Sequence, residues 1–368
     1  MKLIRNGRAA AIVAAGALAL AACGNDPTTG TSDAGGNGGA PESGLSGTLA
    51  AGGASSQESA MQAWIAGFQA ANPQVSVSYD PIGSGGGRTQ FLEGAFPFAG
   101  SDAALDDEER TQAEERCAGP AIHLPLYISP IAVIYNLDGV TDLQLSPQTV
   151  ARIFDRKITT WNDQAIAADN PGKTLPATPI SPVNRSDESG TTENFTEYLA
   201  ATAADAWPHE PSGEWPVAGG QSGQGTSGVV QAVQGAPGTI GYADASKAGS
   251  LGVARIKVGE EYVGYSPEAA AKVVAASPRT SGAAEHDIRL DLARDTTESG
   301  AYPIVLVSYE ILCTTYEDAE VGNLVKAFVS YMASEEGQQQ AAQAAGSAPI
   351  SDELRAEVEA ALDTVKAG

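Results

Sequence analysis

The chain has 368 residues, with 45 Asp and Glu against 21 Lys and Arg, and a formal net charge of −24. A surface of that sign repels nucleic-acid phosphates and anionic headgroups, so neither nucleic acid nor a membrane face is an expected partner. An anionic ligand would have to be held by local donors against the same field.

The N-terminus carries Lys2, Arg5 and Arg8, then an apolar stretch of 12 residues from Ala9 to Leu20. That stretch is too short to span a bilayer. It closes on Leu20-Ala21-Ala22-Cys23, and the whole resembles a bacterial lipoprotein signal with its lipobox. The resemblance implies cleavage after residue 22 and lipid on Cys23, which would anchor the protein to the outer face of the cell membrane. Loss of residues 1–22 removes three positive charges and no negative ones, so the net charge moves from −24 to −27. Residues 24–44 contain no Leu, Ile, Val or aromatic side chain and read as a flexible part of the linker 23–44. Its typical reach is about 25 Å.

From residue 45 onward the pattern alternates between two periods. Gly47-Thr48-Leu49-Ala50-Ala51 reads as a strand. Met61, Trp64, Ile65 and Phe68 fall on one face of a helix that Asn72-Pro73 ends. Residues 75–79 alternate as a strand. A Gly-rich turn follows, then a helix through Phe91 and Leu92 and a short strand near Phe98. Asp106-Asp107-Glu108-Glu109 reads as a solvated charge run. Ile131-Ala132-Val133-Ile134-Tyr135 is a strong strand, 149–154 begins a helix, and 180–183 is a further strand. Residues 229–233 read as helix, 239–242 and 303–308 as strands, and 321–332 and 352–365 as helices. The rhythm predicts an α/β protein with a largely parallel sheet.

Three Cys are present; with Cys23 lipidated, Cys117 and Cys313 remain, and in an exported protein they are expected to pair. The three His (His123, His209 and His286) have no ligand spacing with a Cys, so neither a metal nor a cofactor is expected.

Three segments share a design in which Ser precedes a helix: Ser55-Ser56-Gln57-Glu58, Gly83-Ser84-Gly85-Gly86-Gly87-Arg88 and Ser189-Gly190-Thr191-Thr192. Ser55 with Glu58 fits a capping box. Helix starts offer N–H groups and the positive end of a dipole, Ser and Thr add hydroxyl donors, and Gly allows close approach. Together they predict an anion cup made of uncharged donors. Arg185 can add a bidentate fork, with Asp187 holding it in place. Asp102, just past the short strand, is an acceptor when ionised and suits only an anion that brings a proton. Phosphate meets that condition and sulfate does not, so Asp102 is expected to select between them.

At these residues the chain resembles the phosphate-binding proteins of ABC-type phosphate importers. The resemblance rests on Gly53-Ala54-Ser55-Ser56, Gly83-Ser84, Gly100-Ser101-Asp102-Ala103, Arg185-Ser186-Asp187-Glu188-Ser189-Gly190-Thr191 and Gly238-Thr239-Ile240-Gly241-Tyr242, with support from Lys157-Ile158-Thr159-Thr160-Trp161-Asn162-Asp163. It implies a two-lobed type II periplasmic-binding-protein fold. One lobe would comprise 45–127 and 297–368 and the other 128–296, with the cleft between them and two crossing segments near Ile128 and Thr297. Carried over by motif, the phosphate contacts would be Ser55, Ser56, Ser84, Asp102, Arg185, Ser189, Gly190 and Thr191. The family commonly has Thr-Phe where this chain has Ser55-Ser56, which removes an aromatic wall but keeps the backbone N–H. Cys117 and Cys313 would then lie in the first lobe. The implied activity is binding without chemistry, by a monomer that delivers phosphate to ABC permease subunits.

Besides a structural or sensor lipoprotein that has lost binding, which Arg185 and Asp102 argue against, two alternatives remain at this level. One keeps the fold and changes the ligand to sulfate, molybdate or another oxyanion, which Asp102 argues against. The other is a surface-anchored phosphatase or hydrolase. It would need a nucleophile with its base or a metal cluster, and no Gly-x-Ser-x-Gly or His-Glu-x-x-His motif occurs.

Overall fold

Val75–Asp80 (β2), Gly47–Gly53 (β1) and Phe98–Ser101 (β3) form one parallel end of the main sheet, with Glu58–Ala71 (α1) and Ser84–Leu92 (α2) as crossovers. The computed structural model describes residues 44–117 and 119–368; the signal 1–22, Cys23 and the rest of the linker to residue 43 lie outside them. Asp107–Arg116 (α3) leads into Ala121–Tyr135 (β4), in which every residue from Ile122 onward is buried. Gln144–Leu145 (β5), Pro147–Phe154 (α4) and Gln164–Asp169 (α5) follow. Ser181–Arg185 (β6), Gly190–Ala203 (α6), Gln221–Gly223 (β7), Gly225–Gly235 (α7) and Thr239–Asp244 (β8) form a second parallel group. Then come Gly252–Val253 (β9), Arg255–Val258 (β10), Glu261–Val263 (β11), Pro267–Ala275 (α8), Val305–Cys313 (β12) and Thr315–Tyr316 (β13). Ala319–Ala333 (α9), Glu335–Ala345 (α10), Asp352–Asp363 (α11) and Lys366–Ala367 (β14) complete the described chain.

The sheet order is β2-β1-β3-β12-β4-β8-β6-β7, with β9 also paired to β4. The expected α/β class holds, but the sheet is mixed rather than largely parallel. β12 runs antiparallel to both β3 and β4, and β4 runs antiparallel to β8. These long strands join the two parallel groups. β4 pairs with β12 along Ala121–Pro130 and then with β8 along Ile131–Tyr135.

Packing follows the apolar pattern. On α1, Met61, Trp64 and Phe68 are buried as expected, while Ile65 is only half-buried. Trp64 meets Tyr127 of β4 edge-on at 6.4 Å, and its Nε1 donates to the Gly337 carbonyl at 2.7 Å. A second aromatic cluster stacks Phe195 of α6 on Tyr242 of β8 at 4.5 Å, with Phe154 against both. These contacts fix the start of α6 against the sheet.

Cys117 and Cys313 form a disulfide with a Cα–Cα distance of 5.3 Å, as expected from the sequence. It ties the end of α3 to the end of β12 across a sequence separation of 196 residues. Closing so long a loop restricts the unfolded chain. Reduction, or Cys117→Ser with Cys313→Ser, is therefore expected to cost about 2–5 kcal/mol in urea unfolding. Equal midpoints for the oxidised and reduced protein would contradict this.

Candidate functional site

The eight positions expected from sequence are all buried, and four of them, Ser56, Ser84, Gly190 and Thr191, lie against a fifth, Asp102. Gly53 brings β1 against β3, because its φ of 142° and its closeness to the Gly100 carbonyl leave no room for a side chain. The chain then turns through Ser55 and Ser56 into α1. Ser56 Oγ donates to Asp102 Oδ1 at 2.6 Å. Thr191 Oγ1, in the first turn of α6, donates to Asp102 Oδ2 at 2.8 Å. Ser84 Oγ accepts from the Asp102 N–H at 3.1 Å. Gly190 packs against Asp102 itself: a Cβ there would lie 2.7 Å from Asp102 Cβ and 2.8 Å from Ser84 Oγ. Ser189 caps α6, accepting from the Thr192 N–H at 3.2 Å.

The Arg185 guanidinium grips Asp187 with two bonds, Nε donating to Oδ1 at 2.9 Å and Nη2 to Oδ2. Burial alone would raise the Asp187 carboxyl, but the Arg185 bonds and charge outweigh it and hold Asp187 below the usual carboxylate range. Asp187 also accepts from the Gly225 N–H at 3.0 Å, so the fork is held between β6 and the start of α7. Tyr242 braces the same region, its hydroxyl accepting from the Arg185 N–H at 3.2 Å and bonding Thr192 Oγ1 at 2.7 Å.

Two expectations about helix starts need correction. Ser55 and Glu58 do not form a capping box. Helix α1 begins at Glu58 with Gln57 as its uncapped N-cap, and Ser55 Oγ is committed to Thr226, accepting its N–H at 3.0 Å and meeting its Oγ1 at 3.1 Å. Glu58 pairs instead with Lys247 at 3.0 Å. Ser84 and the Gly run lie inside α2 rather than in a turn before it; the N-cap is Gly83, with φ 96°. A side chain at Gly83 would run into Asp187 Oδ2, so the glycine lets α2 approach the Arg185 loop. The acidic run is not wholly solvated either: Asp106 and Glu109 form a capping box on α3, and Glu109 reaches Arg88.

Several participants escaped the sequence reading. Ser308 of β12 donates to Asp102 Oδ1, making a third hydroxyl bond to that carboxylate. Asn194 Nδ2 donates to the Asp102 carbonyl at 2.8 Å. Gly225 and Thr226 open a fourth helix start rich in Gly, Ser and Thr, Gly225-Thr226-Ser227-Gly228, at the N-terminus of α7. Arg88 is buried between two acids, Nε donating to Glu109 at 2.9 and 3.0 Å and Nη2 to Glu188 at 2.5 Å. It thus neutralises Glu188, which sits between Asp187 and Ser189.

Burial pushes the Asp102 carboxyl up, while the bonds from Ser308, Ser56 and Thr191 and the Arg185 charge pull it down. A carboxylate has about four acceptor positions, and protein hydroxyls fill three of those of Asp102. The site therefore gathers Arg185, hydroxyls and three helix starts without side-chain caps (α1, α2 and α7), the last joined to it through Ser55 and Asp187. Among the described residues no group of three or more His, Cys, Asp or Glu is placed to hold a metal.

Residues 38–336 match the model of the PBP superfamily domain. Fold and site together thus define a binding protein of the periplasmic type. The chain is 37% identical to phosphate-binding protein PstS2 of Mycobacterium bovis (BCG), covering 99% of this chain and 100% of that protein. It is 39% identical to phosphate-binding protein PstS 3 of Mycobacterium tuberculosis, covering 89% and 90% respectively. Among solved structures it is similar to the periplasmic phosphate-binding protein PfluDING bound with phosphate, with a TM-score of 0.70 at 23% identity over 85% of this chain and 93% of that one. The chain belongs to the PBP superfamily and, within it, to the family of PstS phosphate-binding proteins.

Arg88 should be needed to hold the Arg185 loop. Arg88→Met leaves two carboxylates facing each other and is expected to destabilise by about 2–3 kcal/mol in chemical unfolding. Adding Glu188→Gln should recover part of that loss, and strictly additive effects would show that the pair is uncoupled.

Proposed function

We propose that this chain binds inorganic phosphate outside the cytoplasm and delivers it to the permease of an ABC-type phosphate importer. The observation that carries the reading is Asp102, an acceptor set among hydroxyl and N–H donors with the Arg185 fork in the same loop system. A protonated phosphate oxygen can donate into the remaining acceptor position while its other oxygens accept from the surrounding donors. An unprotonated oxyanion would set two negative charges face to face, which costs roughly 4 kcal/mol at 4 Å with an effective dielectric of about 20. That repulsion favours phosphate over sulfate or molybdate.

We read the protein as two lobes, 45–127 with 297–368 and 128–296, with phosphate in the cleft between them. The switch of β4 from β12 to β8 near residue 131 supports a crossing close to Ile128. On this division the bonds Ser55–Thr226, Thr191–Asp102, Arg88–Glu188 and Lys247–Glu58 all run between lobes, as expected of the closed form. Ligand contacts from both sides would favour closure by differential affinity. The phosphate ligands are Ser55, Ser56, Ser84, Asp102, Arg185, Ser189, Gly190 and Thr191. The protein works as a monomer, without chemistry on its ligand, tethered by lipid on Cys23 after removal of residues 1–22.

Titration calorimetry with phosphate should give one tight site, with sulfate silent, and Asp102→Asn should narrow the gap between the two anions. Equal binding of sulfate by the unaltered protein would contradict the role of Asp102. For the anchor, Cys23→Ser should shift the protein from the membrane fraction to the soluble one; unchanged membrane association would refute lipidation at Cys23.

A further inference from the structure

Glu310 lies on β12, two residues beyond Ser308, and is fully buried. Neither of its carboxyl oxygens has a hydrogen-bond partner, and the Oε1 of the equally buried Gln57 has none either. In the strand register Glu310 faces Gly100 of β3. A Cβ at Gly100 would lie 1.9 Å from Gln57 Nε2 and 2.5 Å from Tyr79 Oη, so both side chains lie over that glycine, across the ladder from Glu310. Gln57 Nε2 donates to Tyr79 Oη at 3.2 Å, and Tyr79 Oη donates to the Ala54 carbonyl at 3.0 Å. Ala54 opens the loop that carries Ser55 and Ser56.

Unpaired acceptors in a dry interior are costly, and a proton on one of two neighbouring acceptors lets it donate to the other. We propose that Glu310 is a positioning residue for the anion site: it stays uncharged, donates its carboxyl proton to Gln57 Oε1, and through Gln57 and Tyr79 holds the Ala54–Ser56 loop in its ligand-receiving shape. The inference rests on the phosphate reading above. It removes an otherwise adverse charge, since an ionised Glu310 would add to the negative field of Asp102.

The electrostatics agree. Burial pushes the Glu310 carboxyl up to about 8, with Gln57 opposing and the Asp102 charge adding to the rise. The titratable groups that act on this cluster are Asp102 after β3, and Tyr79 and Asp80 on β2; no Lys, Arg or His is among them. Between the ordinary carboxylate range and pH 8 the folded chain keeps a proton that the unfolded chain has released. Stability therefore falls as pH rises through that window and levels off above it.

The test uses the full chain, Glu310→Gln and Glu310→Leu. Melting temperatures without ligand are recorded from about pH 5 to about pH 9, and phosphate is titrated at about pH 6 and about pH 9. The wild type should lose melting temperature toward pH 8 more steeply than Glu310→Gln, whose amide N–H replaces the carboxyl proton. Glu310→Gln should bind phosphate within about twofold of wild type at the lower pH and keep more of its affinity at the higher one, whereas Glu310→Leu should lose about tenfold. If Glu310→Leu does not fold, Gln57→Leu cuts the same link from the other side. Parallel melting curves for wild type and Glu310→Gln, or wild-type affinity in the leucine variant, would overturn the proposal. Failure of the wild type to bind phosphate at either pH would overturn the phosphate reading, and the ligand-free melting curves would still decide whether Glu310 is neutral.

Discussion

The candidate site is organised around one buried carboxylate, Asp102. Asp102 is only 4% exposed, and desolvation works against its charge. Three hydroxyls, from Ser308, Ser56 and Thr191, offset part of that cost, and the carboxyl remains raised above its ordinary range. They come from three separate parts of the chain, before α1, in the middle of β12 and at the start of α6. Satisfying one charge therefore constrains three elements together, and α2 joins them through Ser84 and the Asp102 N–H. On the proposed reading, the remaining acceptor capacity of Asp102 is a test that an incoming anion passes only by bringing a proton.

The surrounding acids are managed one by one. Arg185 holds Asp187, Arg88 holds Glu109 and Glu188, and burial pushes the Glu310 carboxyl up. In a chain with formal net charge −24, Asp187, Glu109 and Glu188 are thus each paired with an arginine beside Asp102. Tyr242 links this arrangement to the core. One face stacks on Phe195 of α6, and its hydroxyl meets both Arg185 and Thr192, so aromatic packing and ligand donors share one support.

Much of this was legible from residue pattern. The stripe through Met61, Trp64 and Phe68 marks α1 because burial follows the helical period, and the Ser-Gly-Thr segment marks the start of α6 because Ser189 caps it. Other features depend on tertiary partners that no local pattern carries. Ser55 and Glu58 have capping-box spacing, but Thr226, 171 residues away, takes the serine hydroxyl, and so α1 starts later. The first part of β4, with His123, Pro125, Ser129 and Pro130 among its residues, does not read as a core strand. It is one because β12 covers its length. That antiparallel pairing also makes the sheet mixed, against a rhythm that suggested a parallel one. Ser308 and Glu310 sit in an apolar strand where their polarity was itself a signal of function.

The most direct test of this account is a crystal structure of the protein with phosphate. It should show the anion with one oxygen within hydrogen-bonding distance of an Asp102 carboxylate oxygen, and others met by Arg185 and by the hydroxyl or N–H groups of Ser55, Ser56, Ser84, Ser189, Gly190 and Thr191. An anion bound elsewhere, or bound in this cup with the Asp102 carboxylate turned away from it, would contradict the central claim.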